Sequence, residues 1–304
     1  MRFLAFLLVC FAILPSASLA QDEPLDISAI LEAQAAYDAN QTNKTRAGLL
    51  NALESYKGEP TVETVNAHLI VMMNDTMAGN HRKMRDSALL ATTHLEPVSD
   101  ILPKQFAEAK FLAAVALFND QFESSAIIEM AHVEGFARSM AGDSENPPDW
   151  VDPLGWKATA WVYAMQAYFE SVGERYPKAT EIDEILASYG FDLDEANEEA
   201  RLTAGESGLP HCPGELIQRP KMKYPAGGAR RGRFGAVILG FEFDRQGQVI
   251  NPEVLASVPL EFFNAKSKRT VGKWRYKPDN EADVGVTCAL ERTNVVLPIV
   301  FQIR

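Results

Sequence analysis

The last third of the chain changes its hydrophobic period twice, and this pattern constrains the fold more than any other feature of the sequence. Apolar residues first alternate with a period of two, which indicates a strand with one buried face. They are Val237, Leu239, Phe241 and Phe243. The pair Gln246-Gly247 supplies a turn into a second apolar run at residues 249–258. The two runs therefore predict a β-hairpin.

A helix and a third strand are predicted after the hairpin. At residues 259–274 the apolar side chains recur at helical spacing, and Lys277-Pro278 ends this pattern because proline breaks a helix. Alternation then returns at residues 295–303, which predicts a strand with one apolar face. The predicted order is strand, strand, helix, strand (ββαβ).

Residues 215–304, under a third of the chain, resemble the C-terminal domain of the TonB family, the energy transducers of outer-membrane transport. The resemblance depends on four motifs that occur in this order: Tyr224-Pro225, the hairpin from Gly235 to Gly247, Trp274-Arg275-Tyr276 before Pro278, and the closing residues Pro298 to Phe301. It implies a three-stranded antiparallel sheet with one packed helix. The motif and core residues that it identifies are Tyr224, Pro225, Gly235, Gly247, Trp274, Tyr276, Pro278 and Phe301.

The N-terminus has the pattern of an export signal. Arg2 precedes an apolar run at residues 3–14, and a small-residue cleavage site ends at Ala20. This run is shorter than the roughly 20 apolar residues that a membrane-spanning helix needs. We therefore expect cleavage after Ala20 and a periplasmic protein. The alternative is an uncleaved anchor in the inner membrane, because residues 3–20 carry no charge.

Charge divides the rest of the chain into two parts. Residues 209–304 contain 15 Lys and Arg against 9 Asp and Glu, whereas residues 21–208 contain 13 against 32. A basic domain tethered to an acidic one favours mutual docking or two different partners. The predicted domains are a helical domain at 21–190 and a TonB-like domain at 210–304. An acidic linker at 191–209 joins them.

The acidic part shows helical patterns throughout. Short polar breaks separate segments rich in Ala, Leu, Met and Glu, which favours antiparallel helical hairpins. The predicted helices span 25–40, 44–57, 62–78, 82–95, 104–118, 122–140, 153–175 and 179–189. Residues 105–138 loosely resemble a tetratricopeptide (TPR) unit with a turn at 119–120, but no repeat has a fixed period. The predicted fold class is α+β, with a degenerate TPR-like hairpin array preceding the ββαβ domain.

A Pro-rich irregular segment at residues 143–153 leads into three aromatic side chains, Trp156, Trp161 and Tyr163. The favoured interpretation is a long loop between helices whose aromatic residues anchor it to the next helix. The alternative is an aromatic surface that recognises a partner.

No catalytic motif is present in the sequence. It contains no Walker loop, no Gly-x-Gly-x-x-Gly after a strand, no His-Glu-x-x-His and no Gly-x-Ser-x-Gly. Glu129 and His132 have the spacing of a carboxylate-bridged metal bundle, but such a site needs a second copy. His211-Cys212 is at most half of a metal site. We therefore expect no enzyme activity, no cofactor, no metal, no nucleic-acid partner and no small-molecule substrate.

A disulfide between Cys212 and Cys288 is predicted. Cleavage of the signal peptide removes Cys10 and leaves these two cysteines in an oxidising compartment, where pairing is the default. The bond would clamp the entry of the C-terminal domain to the region just before its last strand.

The resemblance implies that the protein binds other proteins by strand addition. In the TonB family the C-terminal domain adds a periplasmic segment of an outer-membrane transporter to its own sheet edge. The family also receives force from inner-membrane motor proteins through a long anchoring helix and a Pro-rich spacer, and this sequence shows neither. The alternative function is therefore a soluble periplasmic adaptor with a helical peptide-binding surface and no role in energy transduction.

The partner-binding edge is predicted on the final strand, which the resemblance places beside the first. Proline has no N–H, so Pro298 fits an edge strand only if its missing donor points away from the neighbouring strand. Backbone direction alternates along a strand, so the residues in phase with Pro298 direct their backbone groups outward. The predicted edge residues are Val296, Pro298, Val300 and Gln302. The intervening odd-numbered residues should bond to the first strand and direct their side chains toward the helix.

Overall fold

The computed structural model describes residues 26–142, 147–190, 209–225, 234–279 and 287–302. Within the first two of these ranges the chain forms eight α-helices, and a 3₁₀ turn at Glu96–Val98 follows the fourth. The helices are α1 (Ser28–Ala39), α2 (Asn43–Ser55), α3 (Val62–Met77), α4 (His81–Leu95), α5 (Pro103–Gln121), α6 (Ser125–Ala141), α7 (Val151–Val172) and α8 (Ala179–Ser188).

Polar caps explain where several of these helices begin. Thr42 and Thr61 each accept a hydrogen bond from the amide three residues later, and the later threonine reciprocates. The Asn80 side chain accepts from the amide of Lys83, at 3.1 Å, and caps α4. These bonds satisfy amides in the first helical turn that have no partner within the helix.

The eight predicted helices are confirmed, but the turn predicted at residues 119–120 is wrong. Helix α5 continues to Gln121, and Phe122 ends it in the left-handed conformation with φ 55°. Helix α6 then begins at Ser125. The side chain of Asn119 donates to the carbonyl of Val115, at 2.7 Å, so this residue lies within the helix instead of ending it.

From α1 to α7 each helix packs against the next, as the predicted hairpin array requires, whereas α8 packs mainly on α6. Three apolar clusters follow one another along the array. The first joins α1, α2 and α3, the second joins α3, α4 and α5, and the third joins α5, α6, α7 and α8. The array therefore buries a continuous core although no sequence repeat is evident.

The C-terminal part confirms the ββαβ order and adds two strands to it. Its elements are β1 (Gly214–Gln218), β2 (Gly235–Phe243), β3 (Val249–Val258), α9 (Asn264–Val271), β4 (Arg275–Pro278) and β5 (Arg292–Phe301). The main sheet is antiparallel with the order β3-β2-β5, and β1 pairs with β4 in a separate two-stranded sheet. The α+β fold class is thus confirmed.

The sequence pattern missed β1 and β4, and it placed the start of the helix too early. Every residue of β1 is exposed and β4 has only four residues, so neither strand shows an alternation with one buried face. Helix α9 begins at Asn264 instead of residue 259 because a turn follows Pro259, in which Glu261 has φ 61°.

The predicted disulfide is present. Cys212 and Cys288 are bonded, with their Cα atoms 4.9 Å apart, and both side chains are buried. The amide of Cys212 donates to the carbonyl of Ala289, at 2.8 Å, and the amide of Ala289 donates to the carbonyl of Pro210, at 2.8 Å. The bond therefore ties the segment before β1 to the segment before β5.

The main sheet is covered on both faces. On one side, here called the α9 face, the odd-numbered side chains of β2 pack with Phe263 and Trp274. On the other side, here called the α7 face, Ala236 and Ile238 pack against Ala160 and Ala164 of α7. The sheet therefore lies between its own helix α9 and a helix of the N-terminal array.

The aromatic residues after the Pro-rich segment contribute to this contact. Trp156, Trp161 and Tyr163 are partly buried and pack against the cluster on the α7 face. They anchor α7 to the sheet of the other domain. Residues 143–146 of the Pro-rich segment lie outside the described residues, so the predicted anchoring of the loop stays a prediction.

Three predictions fall wholly or mainly outside the described residues. They concern the signal peptide at 1–20, the acidic linker at 191–209 and the domain boundaries that depend on it. They stay predictions. Among the described residues, no helix is long and apolar enough to cross a lipid bilayer.

Candidate functional site

Strand β5 forms one edge of the main sheet. It pairs with β2 on one side, and no strand pairs with its other side in the part of the chain that the structure describes. An unpaired strand edge presents a row of backbone N–H and C=O groups to which another strand can bond.

The register of β2 indicates which backbone groups of β5 point outward. The amide of Asp244, directly after β2, donates to the carbonyl of Gln248 near the start of β3, at 2.9 Å. Backbone direction alternates along a strand, so the even-numbered residues of β2 are directed to β3 and the odd-numbered ones to β5. Ile238 is even-numbered and lies opposite Pro298. This register supports an outward direction for Pro298 and for the residues in phase with it.

The side chains of β5 alternate between the two faces of the sheet. Ile299 and Phe301 are buried on the α9 face, where the ring of Phe301 stacks on Phe263 with centroids 4.1 Å apart. Val296 and Val300, on the opposite face, are 41% and 42% exposed. Half of the strand thus holds the domain together, while the other half presents apolar side chains to solvent.

A groove of about 310 Å³ lies where the end of β5 meets the helical domain. Val300 and Gln302 form one wall, and residues of α7 and of the segment leading into α8 form the other. The helical residues are Tyr163, Gln166, Ala167, Glu170, Tyr176, Lys178 and Ala179. A strand added to β5 would therefore lie against side chains of the helical domain as well as against the sheet.

Polar groups in this groove are placed to bond an incoming segment. The Oε1 atom of Gln302 is buried and has no hydrogen-bond partner among the described residues. Burial, reinforced by the charges of Glu134 and Asp183, raises the pKa of Tyr163, so its phenol stays protonated. The ammonium of Lys178 lies 3.8 Å from the centroid of the Tyr176 ring. The groove thus offers an acceptor, a phenol and a cation at the end of the edge.

Four of the predicted motif residues form the support beneath the edge. Tyr224 lies edge-on to Phe301, with ring centroids 6.0 Å apart. Trp274 is buried beneath the sheet, and the guanidinium of Arg219 lies 4.9 Å from its ring centroid. The hydroxyl of Tyr276 donates to the carbonyl of Cys212, at 3.1 Å, which links the ring to the disulfide segment.

The predicted glycines and prolines occupy positions where backbone geometry matters. A side chain at Gly235 would collide with the carbonyl of Val258 and with the ring of Phe263. Gly247 has φ 71°, and its carbonyl accepts from the amide of Tyr276, at 2.8 Å. Pro278 lies opposite Gly214 in the small sheet, and Pro225 is half-buried beside Tyr224. None of the four contacts the groove directly, so they support the fold.

The residues considered for chemistry have structural roles. His132 Nδ1 is 3.1 Å from the hydroxyl of Tyr189, and Cys212 is held in the disulfide. Across the described ranges, no group of three or more His, Cys, Asp or Glu residues is arranged to hold a metal ion.

Sequence reasoning missed the groove, and it left the contact between the two domains as one of two alternatives that their opposite charges favour. A signal for the contact was present, because Ala236 and Ile238 are apolar between the four odd-numbered core positions. A strand that is apolar at consecutive positions is typical of burial on both faces. The groove has no such signal, since its walls lie more than 100 residues apart in the sequence.

Comparison with known proteins identifies one part of the chain. Residues 220–301 match the family model described as the Gram-negative bacterial TonB protein C-terminal domain. No curated protein matches the chain. The matched range begins just before Tyr224, ends at Phe301, and contains the main sheet and α9. The chain thus carries a TonB C-terminal domain at residues 220–301, and a helical domain packs on its sheet.

Proposed function

We propose that this protein acts in the periplasm, has no enzyme activity, and binds a partner protein by adding an extended segment of that partner to the outer edge of β5. TonB C-terminal domains mediate protein–protein interactions and face the periplasm. The partner that fits the family is a periplasmic segment of an outer-membrane transporter. The proposal includes export by a signal peptide that is cleaved after Ala20.

One observation carries this proposal: no strand of the described residues pairs with the outer edge of β5, and Pro298 lies opposite Ile238, whose backbone is directed to β3. Outward N–H and C=O groups at Val296 and Val300 can then bond a partner strand. The missing donor at Pro298 weakens one rung, which also helps to prevent two copies of the edge from pairing with each other.

A soluble adaptor is the second candidate function, and the docking of α7 on the sheet favours it. Because Ala160 and Ala164 pack on Ala236 and Ile238, the helical domain is held beside the edge strand. A partner strand would therefore contact both domains at once through the groove. In this version the helical domain contributes to recognition of the partner, and no force is transmitted.

Site-specific photo-cross-linking tests the proposal. A photoreactive amino acid at Val296 or Val300 should cross-link to a periplasmic segment of an outer-membrane protein in intact cells. The matched control is Ile250 on β3, which has a similar exposure of 37% but lies on the opposite edge. Equal cross-linking from β3 and β5 would contradict the proposed edge.

Val300→Pro then tests the backbone contact with the captured segment. This change removes an outward donor but should leave the bonds to β2 nearly intact, so binding should weaken while the fold persists. Val300→Ala is the control because it shortens the side chain and keeps the N–H. If the proline variant binds the segment as tightly as the alanine variant, strand addition at β5 is not the mode of binding.

A further inference from the structure

A cavity of about 560 Å³ lies at the other end of the contact between the two domains. Helices α5 and α7 form one side of it, and the start of β2 and the end of β3 form the other. Its apolar walls include Phe111, Phe118, Trp161, Phe234, Val258 and Leu260. This volume falls within the roughly 300–1,000 Å³ of small-molecule sites, which often occur between domains.

Aromatic rings line the interior of this cavity. Phe118 is 1% exposed, and its ring centroid lies 6.2 Å from that of Trp161 and 5.9 Å from that of Phe234. The ring of Phe118 meets the other two at angles of 70° and 82°, so it presents edge-to-face contacts on both sides. Such a surface favours an acyl chain or an aryl group over a polar ligand.

Lys157 supplies a positive charge to the same cavity. It precedes Trp161 by one helical turn on α7, so both side chains lie on the same face of the helix. The side chain of Lys157 is exposed, and no carboxylate of the described chain forms an ion pair with it. A cation without a counter-ion beside an apolar cavity is complementary to a ligand with an anionic head and an apolar tail.

We propose that this cavity binds a small amphipathic anion, with its apolar tail between the aromatic rings and its carboxylate beside Lys157. The site is separate from the β5 edge and does not depend on strand addition. No sequence motif predicts this cavity, because its walls come from both domains. For the same reason, a bound ligand stabilises the docked arrangement of the domains.

Titration of the purified exported protein with three probes that share a ten-carbon chain tests the proposal. The probes are decanoate, decanol and decyltrimethylammonium, each used below its micelle-forming concentration, and calorimetry measures binding. Decanoate should bind about fivefold more tightly than decanol, the size expected for one exposed charge interaction, and the melting temperature should rise with its concentration. Equal affinity for all three probes, or no binding of decanoate, would overturn the proposal.

Two variants locate the ligand. Lys157→Glu should weaken decanoate binding and strengthen that of decyltrimethylammonium, whereas Lys104→Glu, an exposed lysine on α5 outside the cavity, should change neither. Trp161→Phe should keep binding but lose the ligand-dependent change in tryptophan fluorescence. A fluorescence change that persists in Trp161→Phe, or a charge preference that Lys157→Glu leaves unaltered, places the ligand elsewhere and overturns the site.

Discussion

Helices cover both faces of the main sheet, but the fully buried side chains at the centres of the two faces differ in size. On the α9 face, Phe241, Phe263, Trp274 and Phe301 meet in one aromatic cluster. On the α7 face, alanines from α7 and from the sheet meet at the buried centre together with Ile238 and Val258, and the larger aromatic side chains of Trp156 and Trp161 are only partly buried around it. Large rings bury much apolar area per residue, whereas alanines bury little but allow a helix to approach closely.

This difference in size indicates that the two faces have different structural roles. The α9 face is the core of the C-terminal domain, and burial of its apolar side chains holds the three strands and α9 together. The α7 face is a docking surface that positions the helical domain beside the edge of β5. Changes on the first face should unfold the domain, and changes on the second should separate two folded domains.

The largest expected effect is on the α9 face. Phe263 is fully buried and stacks on Phe301, so Phe263→Ala should lower the free energy of unfolding by about 3–5 kcal/mol. Denaturant unfolding followed by near-UV circular dichroism measures it. Leu260→Ala is the control because that side chain is 81% exposed and should cost little. A small effect of Phe263→Ala would show that this face is not the core.

A smaller effect is expected on the α7 face. Ala164 is fully buried between α7 and the sheet, and Ala164→Arg should overpack this contact at a cost of up to about 3 kcal/mol. The two domains should then unfold in separate transitions during calorimetry, with the C-terminal domain still folded. Ser171→Arg, on an exposed part of the same helix, is the control. Loss of all C-terminal structure in Ala164→Arg would contradict a docking role.

Acid should weaken the helical domain through the buried imidazole of His68. Burial, with a minor contribution from nearby His94, lowers the pKa of His68 from 6.5 to about 3, and its Nδ1 atom is buried without a hydrogen-bond partner. Between pH 6.5 and pH 3, His68 is therefore protonated in the unfolded chain and neutral in the folded chain. Stability is fully present above pH 6.5 and decreases as the pH falls toward 3. Between pH 7 and pH 5 the loss should be about 2 kcal/mol.

Unfolding experiments at several pH values measure this dependence. His68→Leu should make the profile shallower, while His94 and His132, whose pKa values burial also lowers, should leave a smaller dependence on pH. His81→Leu, at an exposed position at the start of α4, should leave the profile unchanged. An unaltered pH dependence in His68→Leu would rule out this histidine as its source.

The fold was predictable where the sequence shows a period, whereas the docking was only one of two alternatives that the charges of the two parts favour. Strands β2, β3 and β5 alternate or carry apolar runs, and α9 follows a helical spacing, so their order could be read directly. Strand β1 is exposed throughout, so nothing in its pattern marks a strand. The groove beside Val300 and the cavity beside Lys157 both need α7 to pack on the sheet, and only the tertiary structure shows this.

The direction of the edge is a prediction that depends on a single proline. Pro298 has no N–H, which sets the phase of β5 from Val295 onward once this strand is placed beside β2, whereas the register shifts before Val295. What the sequence could not indicate is that the helical domain lies against the same edge. Ala160 and Ala164 resemble the other small residues of α7 until the sheet is seen beside them.

Amide hydrogen exchange along β5 tests the central claim most directly. In the free protein the amides of Val296 and Val300 should exchange rapidly, while those of Leu297 and Ile299 should be protected by their bonds to β2. When the captured partner segment is added, the amide of Val300 should become protected. An amide of Val300 that is already protected in the free protein, or that stays unprotected in the complex, would contradict strand addition at this edge.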